Sequence, residues 1–165
     1  MPINSKKKFG ILIGRFQPIH LAHQSIINEI IHDGLTPLLF IGSSNVINSK
    51  NPFSYIERSK IIHEIYGEKV ITLPLPDSRY DFIWKHTLLQ LLKNIGISSN
   101  NCCLYFFKKD NEFNVCASFK EIKHQEPTYH DIYGKISASK IRENPLKYKK
   151  FLDGSVLKYL INKKD

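Results

Sequence analysis

Short apolar runs alternate along the chain with longer stretches in which isoleucines and leucines recur at helical spacing. Phe9 to Gly14 (FGILIG) is continuously apolar, ends in glycine and reads as a buried strand. From His20 to His32, Ile26, Ile27, Ile30 and Ile31 form a helical stripe, and Asp33-Gly34 stops it. Leu35 to Ser43 is the second strand. The polar loop Asn45 to Asn51 follows, and Ser54 with Glu57 three residues on forms a capping box for the next helix. Ile56, Ile61, Ile62 and Ile65 are assigned to its apolar face. Val70 to Leu75 is a third strand, and Phe82 to Ile95 a helix carrying Trp84, Leu88, Leu91, Leu92 and Ile95 on one side. Cys103 to Phe107 is a fourth strand. Residues 110 to 135 suggest only short pieces of helix and strand. Ile136 to Glu143 opens a short helix and Ser155 to Ile161 makes the last one.

Strands this uniformly apolar are not half-exposed. Their alternation with helices predicts a parallel sheet covered on both faces, the doubly wound α/β architecture, in a single domain spanning 1–165. Such sheets bind ligands beyond the carboxyl ends of their strands, where the strand order reverses. The 165 residues suit one domain, and 42% apolar against 24% charged residues is a globular balance. No run approaches the ~20 apolar residues that span a bilayer, and the start of the chain lacks a signal peptide's apolar stretch. Cys102, Cys103 and Cys116 form no C-x-x-C pair, which makes a reduced, cytoplasmic setting the expectation. The net charge of +9 suits a polyanionic partner. Lys6, Lys7 and Lys8, with Lys147, Lys149, Lys150, Lys158, Lys163 and Lys164, place much of the excess near the termini, as a solvated surface rather than a nucleic-acid groove. Neither nucleic acid nor membrane is expected as a partner, and a homo-oligomer is compatible with the sequence.

The segment richest in chemistry is GRFQPIHLAH, Gly14 to His23, where the first strand meets the first helix. Gly14 lets backbone approach a ligand, and His20 and His23 share a face of the first helical turn. Helix amino termini attract phosphate, so two imidazoles beside Arg15 would cradle a triphosphate. On spacing alone a metal half-site or two surface histidines fit equally well.

GRFQPIHLAH resembles the phosphate-binding signature of the nucleotidylyltransferase superfamily, His-x-Gly-His, with Ala22 in the glycine place. Its Gly-Arg-x-Gln-Pro lead resembles nicotinamide-mononucleotide (NMN) adenylyltransferases of the archaeal and bifunctional bacterial type. ISASKIRE, Ile136 to Glu143, is similar to the family's Ile-Ser-x-Thr-x-Ile-Arg motif, with Ser139 in the threonine place. PLPDSRYDFIW, Pro74 to Trp84, is similar to its Asp-x-x-x-(Asn/Asp)-x-x-Trp stretch through Asp77, Asp81 and Trp84. The segment from Ile41 to Ile61 resembles the Ile-Gly-Ser stretch, basic loop and Pro-Phe-Thr-x-x-Glu-Arg helix, with Lys50 where relatives carry a phosphate-contacting arginine. FFKKDNEF, Phe106 to Phe113, lacks the glycine of the bifunctional branch's Gly-x-x-Lys-Asp, which leaves Lys109 and Asp110 without an assigned role.

The resemblance implies a Rossmann-like fold and transfer of AMP from ATP to NMN, giving NAD and pyrophosphate with Mg²⁺ accompanying ATP. It implies catalytic roles for His20, His23 and Arg142. ATP would meet Gly14, Arg15, Phe16, Gln17, His20, His23, Ser137, Ser139 and Arg142; NMN would meet Lys50, Asp77, Asp81 and Trp84. No protein metal site is expected. For Trp84, a core position beside Leu88 and Leu91 is the alternative to stacking on nicotinamide. Bifunctional relatives carry a further hydrolase domain; this chain ends before one, and the expectation is NAD synthesis without ADP-ribose hydrolysis. The rival readings are another adenylyl- or cytidylyltransferase, such as one acting on phosphopantetheine, a nucleotide-sensing module, and an RNA-binding protein.

Overall fold

The computed structural model describes residues 7–107, 118–128, 130–131 and 136–163. Lys109, Asp110 and Cys116 lie outside them. The strands are β1 (Phe9–Gly14), β2 (Thr36–Ile41), β3 (Ile71–Pro74), β4 (Cys102–Tyr105) and β5 (Lys123–Gln125). The helices are α1 (Leu21–His32), α2 (Tyr55–Tyr66), α3 (Asp81–Asn94), α4 (Ala138–Glu143) and α5 (Gly154–Asn162). All pairings are parallel, in the order β3-β2-β1-β4-β5. No helix among the described residues is long and apolar enough to cross a membrane.

The twofold period of the strands divides their side chains between two cores. Leu12, Leu39, Ile41, Cys103 and Tyr105 meet Ile26, Ile27 and Ile30 of α1, Ile61 and Ile62 of α2, Ile141 of α4, and Val156 and Leu160 of α5. On the other face, Phe9, Ile11, Leu38, Phe40 and Leu104 meet Leu88 and Leu92 of α3, together with Phe119 and Ile122. Helices cover both faces, as the doubly wound expectation requires. Pro37 is tolerated inside β2 because of where its missing donor lies. Thr36 donates its N–H to Lys8 on the β1 side, so position 37 turns toward β3, whose pairing begins only at Leu38↔Ile71.

The structure changes several sequence expectations. Ile56 is 75% exposed; the buried stripe of α2 runs through Arg58, Ile61 and Ile62 instead. Their i, i+3, i+4 spacing is one helix face, from which position 56 is rotated away. β2 stops at Ile41 rather than Ser43, because Ser43 adopts a left-handed backbone with φ 50°. β5, a short edge strand with Lys123 exposed, lies in the stretch where the pattern gave only fragments. The Ser54–Glu57 capping box forms as expected, with Glu57 N–H on Ser54 Oγ at 3.2 Å and Ser54 N–H on Glu57 Oε2 at 2.7 Å.

Two further ties position the site. The last turn of α5 docks on α2: Tyr159 donates to Glu57, and Lys163 Nζ lies 2.5 Å from the same carboxylate and 4.7 Å above the Phe53 ring. Gly10 lets α1 approach β1. A Cβ there would sit 2.3 Å from Ile30 Cγ2, and isoleucine is stiff at that carbon. Gly10→Ala should therefore cost about 1–3 kcal/mol, the range for overpacking a core. Gly154→Ala, which meets nothing within 4 Å, should leave stability unchanged or raise it slightly. Thermal denaturation of the two variants against wild type checks the contrast.

Candidate active site

The chain runs from β1 outward through β2 and β3, then returns to the other flank of β1 as β4, so the order reverses at β1. Beyond the carboxyl end of that strand lies a cleft of about 370 Å³ lined by Arg15, Phe16, Gln17, His20, His23, Lys50, Ser137, Ala138, Ser139 and Arg142. A larger cleft of about 450 Å³ at the amino ends of the strands mixes Lys8 and Lys123 with Asp33. The switch-point rule and the single sign of its charges favour the first.

His20 is the N-cap of α1, and His23 occupies the third helical position. The His20 N–H donates to His23 Nδ1 at 3.3 Å, and the rings lie 3.9 Å apart. Because His23 Nδ1 accepts, the proton of its neutral ring sits on Nε2. Burial lowers His20 to about 4, and burial together with His20 holds His23 well below its ordinary value. Both are therefore neutral near pH 7, and His20 Nδ1 is buried without a hydrogen-bond partner. Phe16 backs the pair, its ring 4.8 Å from that of His23.

Arg142 projects from α4, whose N-cap Ser137 accepts from Lys140 N–H at 3.5 Å. Its Nη1 donates to the Gln17 carbonyl at 2.6 Å, and Nη2 to Ser139 Oγ at 3.4 Å. Burial first, and the neighbouring Arg15 second, lower the Arg142 pKa. Two arginines and Lys50 thus line one cleft, and the charge of Arg15 is felt at Arg142. Both ends of the Gln17 side-chain amide are engaged within the protein. The amide pairs with the backbone of Phe53, donating from Nε2 at 2.9 Å and accepting at Oε1 at 3.1 Å.

Gly14, Asp77, Asp81 and Trp84 do not line this cleft. The space a Cβ of Gly14 would take faces the Phe16 ring at 3.0 Å. Asp77 lies past β3, where its carboxylate accepts from Ser43 Oγ at 3.0 Å and its N–H donates to Asn45 Oδ1 at 2.8 Å. Asp81 opens α3, and Trp84 follows one turn later, half-buried with its ring 6.2 Å from that of Phe119. Lys50, grouped by sequence with the NMN residues, sits with the cationic cleft.

A family model described as cytidylyltransferase-like matches residues 11–144, most of the chain. The chain belongs to the cytidylyltransferase-like family. It is 33% identical over 93 residues to a nicotinamide-nucleotide adenylyltransferase of Methanolobus tindarius, covering 54% of each chain. To the enzyme of the same name from Methanosarcina barkeri it is 29% identical over 136 residues, covering 79% of this chain and 72% of that one. The chain spans about half the length of the curated relatives it matches first. Its fold is similar to that of a bifunctional NMN adenylyltransferase/ADP ribose pyrophosphatase from Francisella tularensis, with TM-score 0.74 at 23% identity over 94% of this chain and 49% of that one.

Sequence reading passed over the most buried charge of this cytidylyltransferase-like fold. Arg58 is 1% exposed. Its Nη1 donates to the carbonyls of Arg15 and Gly42, both at 2.7 Å, its Nη2 to Ser43 at 3.2 Å and its Nε to Ser54 at 3.1 Å. The signal was available: an arginine on the apolar stripe of a helix is a charge destined for burial.

The histidine pair makes stability pH-dependent. An unfolded histidine takes up a proton near pH 6.5, whereas folded His20 resists protonation until about 4. The unfolded chain thus binds more protons between these values, and stability falls as pH drops through that window. His20 alone should remove up to about 3 kcal/mol, and His20→Asn should flatten this part of the curve. Urea denaturation of the ligand-free protein between pH 7 and pH 4 reads both.

Proposed function

We propose that the chain is a nicotinamide-nucleotide adenylyltransferase, joining AMP from ATP to NMN with release of pyrophosphate. The observation that carries this reading is the cleft at the end of β1. Arg15, Lys50 and Arg142 converge there with two neutral imidazoles and two serine hydroxyls, and no carboxylate among the described residues joins them. That lining suits a polyphosphate. The similarity to archaeal enzymes of this name supports the choice of acceptor.

The NMN 5′-phosphate is already anionic and attacks the α-phosphorus of ATP without a general base. The protein's share is then alignment and stabilisation of charge. Nε2–H of His23 and the His20 ring donate to the α- and β-phosphates. The mutual repulsion of Arg15 and Arg142 is relieved by the outgoing pyrophosphate. The described lining has no carboxylate to suit a resident cation, and no described group of three His, Cys, Asp or Glu could hold one. Mg²⁺ therefore belongs to the nucleotide, arriving as the counter-ion of ATP and offsetting phosphate charge.

NMN would lie toward the ends of β2 and β3. Asp81 and Trp84, three apart on α3, share a helix face, and Asp77 is fixed by Ser43. A cationic pyridinium suits an indole face flanked by carboxylates better than the neutral thiol end of phosphopantetheine does.

Incubating the protein with ATP, Mg²⁺ and NMN and separating the dinucleotides tests the reading directly; no NAD would overturn it. His20→Ala and His23→Ala should each lower kcat by about 10²–10³, the cost of one transition-state donor. Trp84→Ala should raise KM for NMN by about 5–30-fold and leave that for ATP nearly unchanged. An unaltered KM with an earlier melting transition would return Trp84 to a core role beside Phe119.

A further inference from the structure

Both loops that flank the cleft contain a non-glycine residue with left-handed backbone, Phe16 at φ 48° and Ser43 at φ 50°. Such conformations cost of order 1 kcal/mol or more and persist where surrounding structure over-determines them. One side chain touches both places. Arg58 binds the carbonyl of Arg15, immediately before Phe16, and those of Gly42 and Ser43. Its fourth bond, to Ser54, anchors the guanidinium to the amino end of its own helix.

The two loops belong to different halves of the site. The β1 loop carries Arg15, Gln17 and His20 into the cationic cleft. The β2 loop presents Ser43, whose hydroxyl holds the Asp77 carboxylate. Strand pairing fixes β1 against β2 only as far as Gly14↔Ile41, and Gly42 N–H on Gly14 O at 2.8 Å is the last backbone tie. Past that point the Arg58 guanidinium joins the strand ends. We propose that Arg58 is a positioning residue that sets the register between the donor-phosphate half and the acceptor half of the site. It reaches no substrate; it acts through Arg15 and Ser43. The catalytic readout of this assignment rests on the adenylyl-transfer reading, and the structural readout does not.

A lysine at 58 keeps the charge but loses the planar fork that spans separate carbonyls. In Arg58→Lys, assayed where circular dichroism shows wild-type secondary structure, kcat should fall by roughly 10²-fold, as expected for small misalignment of reactants. Direct ATP affinity should change only a few-fold, because Lys50, Arg142 and the histidines remain. The amide resonances of Phe16, Gly42 and Ser43 should shift together, while Gly10 and Cys103, in the body of β1 and β4, stay put. Millimolar guanidinium should restore part of kcat to Arg58→Ala where methylammonium does not; if Arg58→Ala does not fold, the lysine variant decides. A folded Arg58→Lys with kcat within about twofold of wild type, or shifts in only one loop, would overturn the proposal. If wild type makes no dinucleotide, the adenylyl-transfer reading falls and the resonances alone decide: joint movement of both loops supports the coupling, and its absence overturns it.

Discussion

The site depends on a charge placed where charges are expensive. A guanidinium removed from water must recover its lost hydration through hydrogen bonds, and Arg58 does so with backbone carbonyls. Asp77 and Glu57 supply opposite charge at longer range, against the burial that lowers its pKa. The carbonyls of Arg15 and Gly42, which no described backbone N–H satisfies, are thereby satisfied at once. Side chains that line the cleft project from these loops, so its geometry inherits the geometry of the guanidinium.

The cationic cleft uses the opposite strategy. Burial and the neighbouring Arg15 disfavour the charge of Arg142, and burial keeps both histidines neutral. Part of the folding free energy is given up to hold these groups in place before a ligand arrives. A polyanion reverses the sign of the local field, and each unfavourable pairing becomes an attraction. Preorganisation of this kind costs nothing further at the moment of reaction, the condition under which fixed dipoles and charges are most effective.

How much of this was legible in the sequence depended on the range of the interaction. FGILIG and its companions announced a buried parallel sheet because burial on both faces leaves no polar alternation. His20, His23 and Ser137 could be placed because helix starts are local events. Ile56 failed because four isoleucines do not define one face, and an arginine took the place they seemed to leave. The resemblance named Gln17 as an ATP contact, but its engagement with Phe53, 36 positions away, was not legible. The burial of Arg58 was signalled by its place on an apolar stripe, but its partners were not, since they are carbonyls, which any residue could supply. The separation of Asp77, Asp81 and Trp84 from the cationic cleft is likewise a fact of strand order.

The bond from Arg142 to the Gln17 carbonyl joins residues 125 positions apart. The helix that carries Arg142 has six residues and a single buried one, Ile141. Such a short element has little local reason to form, and closing so long a loop is entropically costly. In the order of assembly the sheet should therefore come first and this contact late; in the order of loss it should go early. A partly opened molecule would keep both cores and yet have no cationic cleft. Competence of the site is in that sense a property of the finished fold, unavailable to the intermediates that lead to it.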